Sequence, residues 1–576
     1  MPGGTSSISD EARSTGLVAH ADAVQSRRWS FLRSRPAHVL LFVLIVVSSS
    51  AVSLRDLGHP YIRLWDEAVH VVVVRNLVVD CCTPKLHHQA FGADQQDWTD
   101  NYVWLHKPPL PFFVQAFIAR LIGTGLFQLR LSGLLLAELL VVLVFWIGAR
   151  YFESWIGVLS AAVVAFNHYT YELVQGRQFS GIPDLALACA LMGVLCCLLE
   201  IVRSPRPRHY VWFGVLSGVA FLCKDGLSLI PFCILALARP SESWRRHAVG
   251  VVYAAASAAL VILPVTVYIA YLFPTEALHE QEQRLGHLLW NVEGWARPFD
   301  FYWTVYFPRI ISPLIAGASY LSAALGLTLL SRDPRLRVMS LWVGVYLFVL
   351  SFGVSKVSNF IYPTVPVVAL LLPATAAALW RQGRYELLVG LSASVIVTAG
   401  VFQWHLFDGS NWLSDFPRWQ VRPALILLQG AVAFATVAAL RFVRLPKPAL
   451  ASTGAATLAI ALAITASINA NVAAARGHRR DYDRQMALRN ASLTLHSVVS
   501  DHDIVLVQWP SVRKSHLYVM YWSGIESFEV TRDKPMEARI ASVARDRRVF
   551  LLRDSSLPRA GETRVSAAPY DLVRLR

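Results

Sequence analysis

Charge is scarce in this chain. Asp, Glu, Lys and Arg make up 16% of its 576 residues, where a soluble domain would carry roughly a quarter. That shortage, with 55% hydrophobic residues and a mean hydropathy of +0.45, argues against a protein dissolved in water. Cysteine is scarce too, at seven residues. No Cys-x-x-Cys pair or zinc-finger spacing occurs, which argues against a structural zinc site and a disulfide framework. The long apolar runs are continuous rather than alternating, so a membrane β-barrel is not indicated. Internal repeats and low-complexity tracts are also missing, and without related halves the pattern of many transporters is not met.

What is present is a series of apolar runs near 20 residues in length, each able to cross the hydrocarbon core. The fold class expected is a polytopic α-helical membrane protein, because a helix satisfies its own backbone in lipid. The net charge of +15 could suggest nucleic acid, but its location argues against that partner. Basic residues cluster in short connections: Arg27, Arg28, Arg33 and Arg35; Arg203, Arg206 and Arg208; Arg245 and Arg246; Arg332, Arg335 and Arg337; Arg381 and Arg384; Arg441, Arg444 and Lys447. This is the bias of cytoplasmic loops, and some of it can meet anionic lipid headgroups.

Spans are expected near 37–54, 130–149, 156–172, 184–202, 211–223, 226–238, 248–273, 309–330, 338–354, 358–380, 385–404, 422–441 and 448–470. With the N-terminus inside, all the Arg clusters fall on the cytoplasmic side. Residues 1–36 read as a disordered cytoplasmic segment, and 37–54 as an uncleaved anchor. Residues 37–470 then form the membrane domain, with outer loops at 55–129 and 274–308. Within the first loop, 109–123 is apolar but short and reads as an interfacial helix. Residues 471–576 change character: 503–508 and 548–552 read as buried strands and 536–546 as helix, giving a small extracytoplasmic α/β domain. Cys189, Cys196, Cys197, Cys223 and Cys233 fit core packing. Cys81 and Cys82 lie in the first outer loop, where a redox role is the alternative.

Against this background a few polar groups stand out. Asp66 and Glu67 follow the first span. A carboxylate suits a helix N-terminus, which is the plain explanation. It also suits a general base that takes a proton from an attacking hydroxyl. His106, Lys107, Pro108 and Pro109 close the same loop. The prolines fix an extended entry to the next helix and would hold Lys107 against a phosphate. A snorkelling lysine is the alternative. His106 could assist, or share a divalent metal with an acid of its loop. Asp184 and Lys224 sit at outer ends of spans, where ionisable groups are expected to be functional. The second outer loop supplies Arg284 and Arg297 with Tyr302, suited to a sugar or a phosphate or to an interfacial aromatic belt. Lys356 and Tyr362 enter the tenth span from outside. Glu138, inside a span, receives no role.

The ordered set then resembles the membrane glycosyltransferases of GT-C fold, in the group of the lipid A aminoarabinose transferases and protein O-mannosyltransferases. The resemblance runs from about residue 37 to 375. It rests on Asp66 and Glu67; Lys107, Pro108, Pro109 and Leu110; Arg130, Leu131 and Ser132; Asp184; Gly214 and Gly218 leading to Lys224; Arg297, Pro298 and Phe299 with Tyr302; and Lys356 with Tyr362 and Pro363. Where the family motif often continues to a tyrosine, this chain has His70.

The resemblance implies transfer of a sugar, with inversion, from a polyprenyl-phosphate donor. The acceptor would be a hydroxyl or phosphate of lipid A, a glycan or a protein, at the outer face of the cytoplasmic membrane. Asp66 would be the base, Glu67 its support and Asp184 a second acid. Lys107 and Lys224 would meet the lipid phosphate, with Arg284 or Arg297 helping, and His106, Tyr302, Lys356 and Tyr362 would line the substrate site. No metal is required on this reading, because protein cations can stabilise a phosphate leaving group. A transporter or flippase of lipid-linked sugars is the second expectation.

Overall fold

The structure, a computed structural model, describes residues 35–575 except 63–64, 89–97, 179, 239–243, 292–293, 313, 408–420, 444–445, 447–448, 451, 455–481, 513, 532–534, 538–539, 541–546 and 555–569. The expected disordered segment and most of the expected last span lie outside the described residues, as does much of the expected helix at 536–546.

The helices in chain order are α1 (Arg35–Leu57), α2 (Trp65–Val79), α3 (Leu110–Ile122), α4 (Leu126–Tyr151), α5 (Ser154–Ala165), α6 (His168–Val174), α7 (Ile182–Arg203), α8 (Pro207–Lys224), α9 (Ile230–Leu237), α10 (Trp244–Leu272), α11 (Pro274–Leu289), α12 (Phe307–Ile311), α13 (Ala316–Leu327), α14 (Pro334–Ser351), α15 (Val365–Arg381), α16 (Tyr385–Phe407), α17 (Val421–Val443), α18 (Tyr482–Thr494) and α19 (Ser515–Ser523). Proline stands in the first turn of α3, α7, α8, α9, α11, α12, α14 and α15. There its missing N–H costs nothing and its fixed φ starts the helix. Among the described residues, eight helical runs are long and apolar enough to cross a membrane, or nine if the bent pair around residue 313 is one span.

Two places depart from simple rods. The run expected to span 156–172 stops at Ala165, because Asn167 accepts the N–H groups of Tyr169 and Thr170 and so caps a new helix. The apolar run Pro207–Leu237 doubles back at Lys224, Asp225 and Gly226. His247 shows this: its Nδ1 lies 2.9 Å from the Tyr210 hydroxyl and its Nε2 lies 3.1 Å from the Leu235 carbonyl. The start and end of the run therefore meet at one end of the bundle, and Lys224 lies at the turn.

The central helices bury a continuous apolar core that runs from Leu134 in α4 through Leu191 in α7 to Leu370 in α15. On α3, Val114, Phe117, Leu121 and Ile122 remain exposed. At about 1.5 Å per residue this helix is too short to cross a bilayer, and its apolar face suits the interface. Helices α8 and α10 approach very closely. A Cβ on Gly214 would stand 2.0 Å from the Ala254 carbonyl oxygen, and one on Gly218 would stand 2.7 Å from Val261 Cβ. Small residues four apart let two backbones meet in lipid.

After the helices comes a four-stranded sheet in the order β2-β1-β3-β4, with β1 (Ile504–Gln508), β2 (Ser527–Glu529), β3 (Val549–Asp554) and β4 (Tyr570–Arg574). β1 is parallel to both β2 and β3, and β4 closes the edge antiparallel to β3. Both faces are buried, as parallel strands require. Ile504, Leu506, Val549 and Leu551 pack on one side. Val505, Val507, Phe550 and Leu552 face the other, where they share a core with Val71, Val72 and Val74 of α2, Phe112 of α3 and Leu517 of α19. The sheet is thus docked onto the helix that carries Asp66.

Gly214→Val should force α8 and α10 apart. We expect a loss of about 2 kcal/mol or more of stability, as for overpacked interiors, measured as a lower denaturant midpoint for the purified chain in detergent.

Candidate active site

Asp66 and Glu67 occupy the first turn of α2. Adjacent residues on a helix point about 100° apart, so the two carboxylates face different partners. Both are buried.

Asp66 Oδ2 takes the Lys107 ammonium at 2.8 Å and the Ser180 backbone N–H at 2.6 Å. Among the described residues, neither partner engages Asp66 Oδ1. His70 follows four residues later on the same helical face, and its Nε2 lies 3.4 Å from Lys107 Nζ. Burial pushes the Asp66 carboxyl up, but the Lys107 charge and hydrogen bond and the Ser180 N–H outweigh it and bring the pKa down to about 2. Burial and then the Lys107 charge hold His70 well below the usual imidazole range, so it is neutral.

Glu67 turns instead to Arg130 of α4, with contacts of 2.7 and 3.2 Å. The same guanidinium donates to the carbonyls of Leu57, His59 and Tyr61 at 3.1, 2.6 and 2.6 Å. It therefore ties the end of α1, the start of α2 and α4 together. Behind Glu67 lies Gly176, where a Cβ would fall 2.6 Å from the carboxylate, and whose φ of +64° favours glycine as well. These contacts suit Glu67 to the supporting place beside Asp66 that the sequence suggested.

A second pair lies alongside. Asp184, at the start of α7, accepts from Lys224 through Oδ1 and from Asn359 at 3.0 Å through Oδ2. Lys224 also lies 5.1 Å above the Phe360 ring. Lys107 is close enough to act electrostatically on both Asp184 and Lys224. Helix α11 adds contacts beside these pairs. On α11, Glu280 lies 3.2 Å from His106, while Arg284 reaches Asp225 at 2.9 Å and the Leu105 carbonyl at 2.8 Å. Burial raises the Glu280 carboxyl, but His106 and Arg284 pull it below the ordinary range.

Asp66, His106, Lys107, Asp184, Lys224 and Arg284 are therefore brought into one network. The remaining expected residues take structural contacts. Lys356 donates to the Ser351 and Gly353 carbonyls at the end of α14, where a cation suits the helix terminus. Tyr302 donates to the Val357 carbonyl at 3.1 Å. The Tyr362 hydroxyl meets Thr170 at 2.9 Å in the core. Arg297 is exposed and donates to the carbonyls of Gly294 and Ala296. The sequence reading assigned no role to His70, Arg130, Ser180, Asp225, Glu280 or Asn359. The four-residue step from Asp66 to His70 was the available signal for one of them. Ser180 acts through its backbone and carries none.

Among the described residues, no group of three or more His, Cys, Asp and Glu is placed to hold a metal ion. Cys81 and Cys82 are joined to each other.

A sequence profile described as dolichyl-phosphate-mannose-protein mannosyltransferase matches residues 106–268. The solved aminoarabinose transferase ArnT from Cupriavidus metallidurans, bound to undecaprenyl phosphate, superposes with a TM-score of 0.59 at 14% identity, covering 94% of this chain and 98% of that one. The chain has the GT-C fold. Among further GT-C relatives, the Archaeoglobus fulgidus oligosaccharyltransferase gives a TM-score of 0.52 at 10% identity, covering 91% of this chain and 70% of its own. In sequence, the GT-C chain is 25% identical over 314 residues to undecaprenyl phosphate-alpha-4-amino-4-deoxy-L-arabinose arabinosyl transferase 1 of Pseudomonas fluorescens strain Pf0-1. That match takes in 52% of this chain and 53% of the relative, so it spans about half of each.

Arg130→Ala strands the buried Glu67 carboxylate and three carbonyls. Breaking such a pair costs about 3–5 kcal/mol. A markedly lower thermal midpoint in detergent is expected, only partly restored by Arg130→Lys, because a lysine lacks the planar fork. An unchanged midpoint would refute the anchoring role.

Proposed function

We propose that this protein transfers a sugar from a polyprenyl-phosphate donor to a hydroxyl or phosphate acceptor on the outer face of the cytoplasmic membrane. The observation that carries this reading is the pairing of Lys107 with Asp66, beside the pairing of Lys224 with Asp184. Two cations, Lys224 buried and Lys107 half-buried, each on a carboxylate, form a place where a lipid phosphate can exchange for a protein carboxylate. The undecaprenyl phosphate bound by the Cupriavidus relative supports the donor class. The Arg clusters on the opposite loops support the orientation.

The chemistry is a single displacement at the anomeric carbon. The acceptor oxygen forms the new bond while the bond to the donor phosphate oxygen breaks, and the configuration inverts. Lys107 and Lys224 balance the charge that grows on the departing phosphate. Asp66 Oδ1 takes the proton of a hydroxyl acceptor, and a phosphate acceptor needs no base. While Lys107 holds Asp66 at about 2, the carboxylate is a weak base. A donor phosphate that draws Lys107 toward itself weakens that hold and raises the basicity of Asp66. Donor binding thereby prepares the base. Neutral His70, beside Lys107, adds no competing charge. The pentose or hexose moved is set by groups outside these two pairs.

With a hydroxyl acceptor, Asp66→Asn should lower kcat by about 100-fold or more, the usual scale for a lost base, with donor affinity changed little. Near-normal turnover of the purified variant would eliminate Asp66 as the base. Lys107→Ala should weaken donor binding, read by titration with undecaprenyl phosphate, and unchanged affinity would remove its phosphate role. The pH profile carries a sign. Asp66 has a depressed pKa of about 2, so in the free enzyme it stays ionised above that value. The kcat/KM profile should therefore show no acid limb from Asp66 down to about pH 4, and Lys107→Ala should move that limb upward. Removing divalent ions with a chelator should leave the transfer rate unchanged.

A further inference from the structure

A small cavity of about 30 Å³ lies beside Asp66, among the start of α2, α3, α4 and the turn that leads into α7. A single ordered water needs about 10–15 Å³ of such space, whereas sites for small organic ligands run to about 300 Å³ or more. Its wall includes Asp66, Glu67, His70, Gln115, Arg130 and Ser180. Glu67 and Arg130 are matched with each other, and His70 lies beside Lys107.

Two atoms of that wall are left over. Gln115 and Ser180 are each only 2% exposed. The Gln115 amide is oriented by its Nε2, which donates to the Leu129 carbonyl at 3.1 Å, so Oε1 is its free end. Among the described residues, neither Gln115 Oε1 nor the Ser180 hydroxyl has a hydrogen-bond partner. Buried polar atoms are nearly always satisfied, by protein or by ordered water. The backbone of Ser180 marks it further. Its φ is +73°, a region that glycine adopts at least cost. A glycine would keep the N–H that donates to Asp66. Beyond Cβ, the hydroxyl is all that serine adds there.

We propose that Ser180 and Gln115 hold one water against Asp66, and that this water steadies the carboxylate when Lys107 turns to the donor phosphate. The role rests on the transfer reading above. The hydrogen bonds of such a water are fully matched. The Ser180 O–H donates to its oxygen, and its two hydrogens go to Gln115 Oε1 and to an Asp66 oxygen. A bridging water is nearly as good a partner as a direct hydrogen bond. Its value lies in a step that the Lys107–Asp66 pair leaves open. A lysine drawn to phosphate leaves a buried carboxylate without its cation, which is costly. The Ser180 N–H and the water then remain as its donors. They keep Asp66 ionised and aimed, free to take the proton of a hydroxyl acceptor. Ser180 and Gln115 are positioning residues, since they act through Asp66.

The test uses the full chain in lipid nanodiscs. An electron cryomicroscopy map fine enough to show ordered waters should place one within hydrogen-bond reach of Ser180 Oγ, Gln115 Oε1 and Asp66. No water density at that point would overturn the proposal. Undecaprenyl phosphate is the binding probe. Ser180→Gly removes the hydroxyl and suits the backbone, so the thermal midpoint should not fall. The variant should nevertheless bind undecaprenyl phosphate about tenfold more weakly, the scale for a hydrogen bond to a charged group. Gln115→Leu should weaken it in the same direction. Made on top of Asp66→Asn, Ser180→Gly should cost no affinity, because a neutral amide needs no substitute for the lysine; the cycle isolates that coupling. Unchanged affinity in Ser180→Gly, or an equal loss with and without the Asp66 carboxylate, would overturn the role of the water and leave the donor reading standing. If undecaprenyl phosphate fails to bind the unaltered chain, the donor reading fails and the role falls with it.

Discussion

The contact between Lys107 and Asp66 at 2.8 Å governs how the rest of the site is built. An ion taken out of water loses several kcal/mol of hydration, which an ion pair recovers only with good geometry and further hydrogen bonds. Asp66 is almost fully buried. It persists as a carboxylate because a cation and a backbone N–H converge on one of its oxygens. The same rule places Arg130 on Glu67, Lys224 on Asp184 and Arg284 on Asp225. These pairs join segments far apart in sequence. A fold that buries one of them is obliged to bring the matching segments together.

The sheet unit answers a different problem. Helix α2 is short and lies outside the apolar bundle, so its own hydrogen bonds would not hold it firmly. Its Val-rich face packs into the same core as β1, β3 and α19. Arg75 binds the end of α19, and His87 binds Glu526. The loop that carries Asp66 is thus clamped from behind by the sheet and in front by Arg130. Precision at a reacting centre needs such a supporting shell. That supplies a physical reason for a chain of mostly lipid-facing helices to keep a small polar unit at its end.

Much of this was legible in the sequence, for reasons that differ by residue. The helical membrane class followed from scarce charge and long apolar runs, because lipid leaves few alternatives. Asp66, Lys107, Asp184 and Lys224 stood out because charge near lipid is rare. Arg130 was visible as part of a motif, but its pairing with Glu67 was not, since that depends on helix phase and on where α4 passes. The Lys356 contacts were not legible, since a lysine can meet a helix terminus as readily as a phosphate and residue type alone does not place the Ser351 and Gly353 carbonyls beside it. Ser180 contributes through its backbone, which no residue type announces.

The low pKa of Asp66 bears directly on how such a site would avoid wasteful hydrolysis. A buried carboxylate left unpaired would rise in pKa and be ready to activate any water that entered. With Lys107 in place it is held at about 2, a poor base for water or sugar. Releasing it requires something that competes for the lysine, and a phosphate with its greater negative charge is suited to do so. The acid and the cation therefore need to be neighbours before substrate arrives, not merely after. On this view the resting pair is the form of the site in which catalysis waits for the donor, and the adjacent Lys224–Asp184 pair gives the phosphate a second cation once the first has moved.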